Sequence, residues 1–178
     1  SALLMQGLTI VISPLISLMQ DQVSSLEKNG IPALFLNSSL SLSEIKNNIN
    51  LIQQGKCKIL YVSPEGFTTK RIQNILSESK IKIDCITIDE AHCISQWGHD
   101  FRPDYMEIAK IRSYFPGSVC LALTATATEK VRTDIIENLK LKSPKLFISS
   151  FNRKNIFLEV KAKSHAFAQI IDFLNKNP

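Results

Sequence analysis

No apolar run in this sequence is long. The longest stretches, such as Leu8 to Ile12 and Ile86 to Ile88, fall far short of the roughly 20 residues that a membrane-spanning helix needs, so no membrane is expected among the partners. Residues Ser1 to Gly7 have neither the basic start nor the extended apolar stretch of a secretory signal. An intracellular location is therefore expected, the cytoplasm in a bacterium or the nucleus in a eukaryote. Cysteine is scarce and unpatterned. Cys57, Cys85, Cys93 and Cys120 include no C-x-x-C pair, and three of them sit in or beside apolar strand-like runs. Reduced, mostly buried thiols are expected in preference to disulfides or zinc ligands. Internal repeats, low-complexity segments and long charge blocks are missing too, so one architecture should cover most of the chain.

What is present suits a single domain with a sizeable core, since the chain has 178 residues, of which 44% are apolar. The formal charge of +5 fits a polyanionic partner, because lysine and arginine neutralise phosphates and release counterions. A solvated basic surface explains that excess equally well, because the charge is spread along the chain.

Short β-rich apolar runs alternate with longer segments of helical period, the pattern of a parallel sheet with crossover helices. The expected strands are Leu8 to Ile12, Ala33 to Leu36, Lys58 to Val62, Ile83 to Ile88, Val119 to Leu123 and Lys145 to Ile148. Leu15 to Asn29 places Leu15, Leu18, Met19, Gln22, Val23 and Leu26 near one helical face and is ended by Gly30 and Pro32. Ser41 to Gln54 opens with the capping box Ser41-x-x-Glu44 and stops at Gly55. Thr128 to Leu139 opens with a capping threonine, and His165 to Asn175 reads as a last helix. Between them, Ser149 to Asn155 is polar and precedes the apolar Ile156 to Val160, like a connection leading out of the domain.

The strongest constellation is the run Ile83 to His92, an apolar strand that delivers Asp89 and Glu90 at its C-terminal end. Such a pair can perform Walker B chemistry. Asp89 would hold a hydrated Mg²⁺ bridging nucleotide phosphates, and Glu90 would orient or deprotonate the attacking water. An acidic pair also serves as a plain helix cap. Position favours chemistry, because Ser13-Pro14, Ser63-Pro64-Glu65, Asp89-Glu90 and Thr124-Ala125-Thr126 all follow strand ends, where open α/β sheets gather their ligands.

At this point the sequence resembles the RecQ helicases of superfamily two. Val11 to Val23, containing Ser13-Pro14-Leu15-Ile16-Ser17, is similar to helicase motif Ia, and Tyr61-Val62-Ser63-Pro64-Glu65 to motif Ib. Asp89-Glu90-Ala91-His92 matches motif II, and Leu123-Thr124-Ala125-Thr126-Ala127 matches motif III. Cys93 to Tyr105, with Ser95-Gln96-Trp97-Gly98-His99-Asp100-Phe101-Arg102, is similar to the aromatic-rich loop that marks RecQ proteins. The likeness extends to Phe151-Asn152-Arg153-Lys154-Asn155.

The resemblance implies a three-layer RecA-like fold of the P-loop NTPase type and an ATP-dependent DNA helicase acting in repair and recombination. It implies ATP and Mg²⁺ as cofactors and single-stranded and partly duplex DNA as partners. The aromatic-rich loop would sense single-stranded DNA, with Trp97 and Phe101 stacking on bases, Ser95, Gln96 and His99 in the loop, Arg102 adding charge, and Gly98 giving freedom to rearrange. Burial of Trp97 and Phe101 as core anchors is the competing reading, and the polar residues between them argue against it. His92 would couple the nucleotide site to its neighbours. Thr124 and Thr126 would relay the nucleotide state, or act as caps. Ser13, Ser17 and Gln22 would contact DNA phosphates, although Ser13-Pro14 also reads as a simple helix cap. A zinc site from His92, Cys93 and His99 has little support, because a fourth ligand is missing.

The main departure from the family is a missing loop. The pattern G-x-x-x-x-G-K-[ST] occurs nowhere, and Gly55-Lys56-Cys57 has neither its spacing nor its hydroxyl. The expectation is a first motor domain over residues 1–150, without the P-loop strand and loop, and a connection toward a second over 151–178, inactive as ATPase by itself. A nucleic-acid-binding module that does not hydrolyse ATP, or an RNA helicase of the same superfamily, are the alternatives.

Overall fold

The β-branched and aliphatic runs form strands because their alternate side chains can be buried on both sheet faces. The computed structural model describes residues 2–78, 81–149, 155–156 and 159–176. Its strands are β1 (Leu8–Ile12), β2 (Ala33–Leu36), β3 (Ile59–Val62), β4 (Ile83–Ile88) and β5 (Val119–Ala122). They make one sheet in the order β2-β3-β1-β4-β5, with every pair parallel. The helices are α1 (Ile16–Lys28), α2 (Leu42–Gln53), α3 (Pro64–Phe67), α4 (Lys70–Glu78), α5 (Ile108–Arg112), α6 (Glu129–Asn138) and α7 (Ala166–Lys176). Short 3₁₀ turns at Ala91–Ile94 and Pro103–Glu107 fill the connection after β4.

Helices pack both faces of the sheet. On one face Met19 and Val23 of α1 meet Ile59 and Tyr61 of β3. On the other, Ile10, Leu60, Ile86 and Ile88 join Ile52, Phe67, Leu76, Ile108, Val131 and Ile135 from α2 to α6 in one cluster. Each such aliphatic side chain contributes about 1.5–3 kcal/mol of burial, which outweighs the modest helix propensity of short segments such as α3 and α5.

Local signals set the ends. At α2 the capping box forms as expected: Ser41 Oγ accepts the Glu44 N–H at 3.3 Å, and the Glu44 carboxylate accepts the Ser41 N–H at 2.8 Å. Thr128 caps α6 by accepting the Val131 N–H. Ser13-Pro14 does not cap α1, whose N-cap is Leu15 without a side-chain bond. The Ser13 hydroxyl turns toward a carboxylate instead.

The expected strand at Lys145 to Ile148 does not form. Residues 145–149 have no regular secondary structure, and Leu146, Phe147 and Ile148 are exposed. A strand needs a hydrogen-bonded neighbour, and no described strand pairs with this run. The chain divides into two compact units, Ser1–Pro144 and Lys145–Pro178, whereas the boundary expected between 150 and 151 lies outside the described residues. Phe151 to Lys154 lie outside them as well. In the second unit Gln169 of α7 holds the preceding segment by donating to the Ala162 carbonyl at 3.0 Å. All four cysteines are free, with Cys57, Cys85 and Cys93 buried. Among the described residues no helix is long and apolar enough to cross a membrane.

Candidate functional site

The order β3-β1-β4-β5 sets the turns after these strands side by side on the C-terminal edge of the sheet. Hydrogen bonds continue past the strands and stitch the turns together. Ser13 N–H donates to the Val62 carbonyl at 3.1 Å, Asp89 N–H to Ile12 at 2.8 Å, and Ala91 N–H to Leu123 at 2.8 Å. Ser63, Ser13, Asp89 and Thr124 thus stand in a row, as their positions after strand ends predict.

Asp89 is the fixed point of that row. Its carboxylate accepts Ser13 Oγ at 3.3 Å and the Glu90 N–H at 3.0 Å, and its main-chain carbonyl accepts the Tyr105 hydroxyl at 3.0 Å. Glu90 adopts a left-handed backbone, φ +46°, a conformation that costs about 1–2 kcal/mol for a residue with a Cβ. Strain of this kind persists where the surroundings hold it, and here the row of turns does so.

The donor set suits one half of a magnesium–nucleotide site. A carboxylate and a hydroxyl are hard oxygen donors, and no group of three His, Cys, Asp or Glu that could hold a metal occurs among the described residues. A cation that keeps most of its waters, as Mg²⁺ does, fits Asp89. The phosphate half does not fit, because no residues of this chain form a G-x-x-x-x-G-K-[ST] cradle.

His92 joins three pieces. Its Nδ1 lies 3.0 Å from Thr124 Oγ1 and 3.2 Å from a Glu90 carboxylate oxygen. The Glu90 contact is an ion-pair distance, whereas the hydrogen bond at Nδ1 is to Thr124 Oγ1, with Nδ1–H as the donor when that hydroxyl gives its one hydrogen elsewhere. That leaves the Thr124 hydroxyl free to donate to the Thr126 carbonyl at 3.2 Å. The ring also stacks on His99, centroids 4.1 Å apart. Burial lowers the His92 pKa and His99 lowers it further, against the opposing pull of Glu90, Asp100 and Asp89. Cys93 beside it is a buried thiol, pushed up to about 11 chiefly by burial, which suits packing and not nucleophilic work.

The aromatic-rich loop leaves the sheet from this junction. Trp97 is 65% and Phe101 37% exposed, so neither is a core anchor. Ser95, fully buried, forms the root of the loop, and Gln96 and His99 are exposed. Gly98 serves a different need from the freedom expected of it. A Cβ there would run into the His92 carbonyl oxygen, so the position requires a residue without one. Arg102 binds Asp100 through Nε at 3.1 Å and Nη2 at 3.0 Å, and its Nη1 donates to the Pro14 carbonyl at 3.3 Å. That bond ties the loop to the Ser13 turn.

Ser13 is buried, with its hydroxyl on Asp89, while Ser17 is exposed and Gln22 half-buried on α1. Thr126 is exposed beside Thr124. Three residues stand at the site without having been singled out by the sequence: Tyr105, Lys130 and Asp134. Tyr105 belongs to the quoted loop motif, but its bond to Asp89 spans 16 positions and leaves no local pattern. Lys130 and Asp134 carry only an i, i+4 spacing on α6, common to any solvated helix.

Residues 2–135 match the DEAD/DEAH box helicase family. The chain is 47% identical over 173 residues to an ATP-dependent DNA helicase RecQ of Pasteurella multocida, covering 97% of this chain and 27% of that protein. Against the RecQ protein of Haemophilus influenzae it is again 47% identical, over 97% of this chain and 28% of that one. It thus spans about a quarter of the length of these relatives. Among solved structures the Hef helicase domain of Pyrococcus furiosus superposes with a TM-score of 0.50 at 20% identity, over 75% of this chain and 27% of that one, a likeness of fold alone. The chain belongs to the DEAD/DEAH box helicase family, in its RecQ group.

Proposed function

We propose that this chain serves an ATP-dependent DNA helicase of RecQ type, as the part that links the water-activating carboxylate to a loop for single-stranded DNA. The observation that carries this reading is His92, whose ring touches Glu90, Thr124 and His99 at once. A change at the nucleotide edge therefore has a direct mechanical route into the aromatic-rich loop.

In this reading Asp89 holds hydrated magnesium, which neutralises phosphate charge when bound. Glu90 orients the attacking water and accepts its proton, and His92 lies beside the carboxylate at 3.2 Å while its Nδ1 is hydrogen-bonded to Thr124. Thr124 and Thr126 pass the displacement onward. Trp97 and Phe101 offer exposed rings to bases, a mode indifferent to sequence, and Ser17 and Gln22 serve the phosphate backbone. The substrates are single-stranded and partly duplex DNA, and the site of action is wherever the cell keeps its DNA. Residues 1–150 belong to the first motor domain and 151–178 lead from it.

The test is ATPase activity of the complete protein with single-stranded DNA, RNA or neither, beside Glu90→Gln. Strong stimulation by DNA that vanishes in Glu90→Gln is expected. Equal stimulation by RNA would point to an RNA helicase instead. The missing phosphate-binding pattern favours a second reading for these 178 residues by themselves, nucleic-acid binding without hydrolysis. Alone they should hydrolyse ATP negligibly, because neither Asp89 nor Glu90 replaces the lysine and amides of that loop.

A further inference from the structure

Lys130 and Asp134 stand one helical turn apart on α6; Lys130 reaches Trp97 directly and Asp134 reaches it through Ser95. Asp134 accepts a 2.6 Å hydrogen bond from Ser95 Oγ, and the same Ser95 oxygen accepts the Trp97 main-chain N–H at 3.1 Å. Ser95 is fully buried and Asp134 half-buried, so the Ser95 end of this short bond is shielded from water. Lys130 sets its ammonium 3.1 Å from the centroid of the indole. Trp97 is thus held twice, by its backbone through Ser95 to Asp134 and by its ring under Lys130. Trp97 as a residue stays 65% exposed, which leaves room for a base on the side of the ring away from Lys130.

We propose that α6 is the element that positions Trp97 for stacking on a base, with Lys130 and Asp134 as its positioning residues. The inference rests on the reading of Trp97 as a stacking residue given under Proposed function. A surface indole without these contacts samples several rotamers and must be ordered when a base arrives. One held in place presents its free face beforehand, which tightens binding. The apolar side of α6, with Val131 and Ile135, is buried in the core, as is its C-cap Leu139, so the helix is an anchored support. It also begins at the Thr128 cap, two positions beyond Thr126. A displacement of the Thr124 turn therefore reaches Trp97 through α6 as well as through His92.

Trp97 is the only tryptophan in the sequence, so intrinsic fluorescence of the chain reports this one ring. Without DNA, Lys130→Met and Asp134→Ala are expected to raise acrylamide quenching and lower the anisotropy of Trp97, with far-UV circular dichroism unchanged. Lys130→Arg keeps the cation over the ring and should leave both values as they were. With oligothymidylate added, Lys130→Met should weaken binding by about two- to five-fold, the size of a lost cation–π contact. A residue that only paired with phosphate would leave the DNA-free fluorescence untouched. Unchanged quenching and anisotropy in both variants overturn the proposal. So does unchanged oligothymidylate binding by Lys130→Met where Trp97→Ala weakens it. If Trp97→Ala binds oligothymidylate as tightly as the parent chain, the stacking reading itself fails, and the α6 proposal falls with it.

Discussion

The phenolic hydroxyl of Tyr105 donates a 3.0 Å hydrogen bond to the main-chain carbonyl of Asp89, joining the far end of the aromatic-rich loop to the carboxylate pair. Tyr105 is fully buried, and burial pushes its phenol far above the ordinary range, so it remains a donor at every working pH. Tyr105→Phe keeps the ring and removes only this bond. It should destabilise the chain by about 1 kcal/mol, the net worth of one such hydrogen bond, measured as a lower urea midpoint. Equal midpoints would mean that the Asp89 carbonyl has found another donor.

Gly98→Ala should act on the loop by steric force. The added Cβ meets the His92 carbonyl oxygen and also the Ser95 carbonyl, backbone atoms that cannot swing aside. A destabilisation of about 1–3 kcal/mol is expected for this kind of overpacking, together with a shift in Trp97 emission. Gly117→Ala, where a Cβ meets nothing within 4 Å, is the control and should change neither.

Strands and helices were legible where local pattern and tertiary environment agree. Ile83–Ile88, Ala33–Leu36 and Leu8–Ile12 came out residue for residue, and the Ser41 and Thr128 caps formed as their types require. Lys145 to Ile148 has the same aliphatic character but no described strand to pair with, and pairing is not a local property. The α4 helix escaped notice because its apolar Ile72, Ile75 and Leu76 sit in a short, mostly polar segment whose helicity comes from packing. At the site, motif spacing located Asp89, Glu90, His92 and Thr124. The sense of each contact was not readable, since Ser13 faces Asp89 rather than solvent and Ser95 faces Asp134.

Glu90→Gly separates stability from chemistry. The left-handed backbone at this position is freely available to glycine, so the variant should be as stable as the parent chain or more stable by about 1 kcal/mol. In the complete protein it should lose ATP hydrolysis. Thermal denaturation checks the first expectation, and a clear fall in midpoint would show that the Glu90 carboxylate contributes more through His92 than its backbone costs.

Acid should loosen the opposite edge of the sheet through Asp84. The Lys82 side chain, 2.8 Å away, and the Gly7 N–H at 2.6 Å hold its carboxyl below the ordinary value of 3.8. The folded chain thus stays charged where the unfolded chain has taken up a proton. The contribution to stability is complete above the ordinary carboxylate value and is lost as pH falls through the lowered one. Urea midpoints from about pH 5 down to about pH 2 should fall less steeply in Asp84→Asn than in the parent. Parallel curves would refute the assignment.

The central strand β1 pairs with no near neighbour in sequence. Thr9 lies opposite Ile59, and Leu8 opposite Ile83, so neither ladder can begin until a long loop has closed. Closing such loops before any contact rewards them makes parallel sheets slow to assemble. During synthesis Leu8 to Ile12 can form neither of these ladders until the ribosome has delivered β3. In that interval the capped α2 helix is the structure best able to form, and the residence time of the bare β1 segment sets how long the nascent chain is open to wrong pairing.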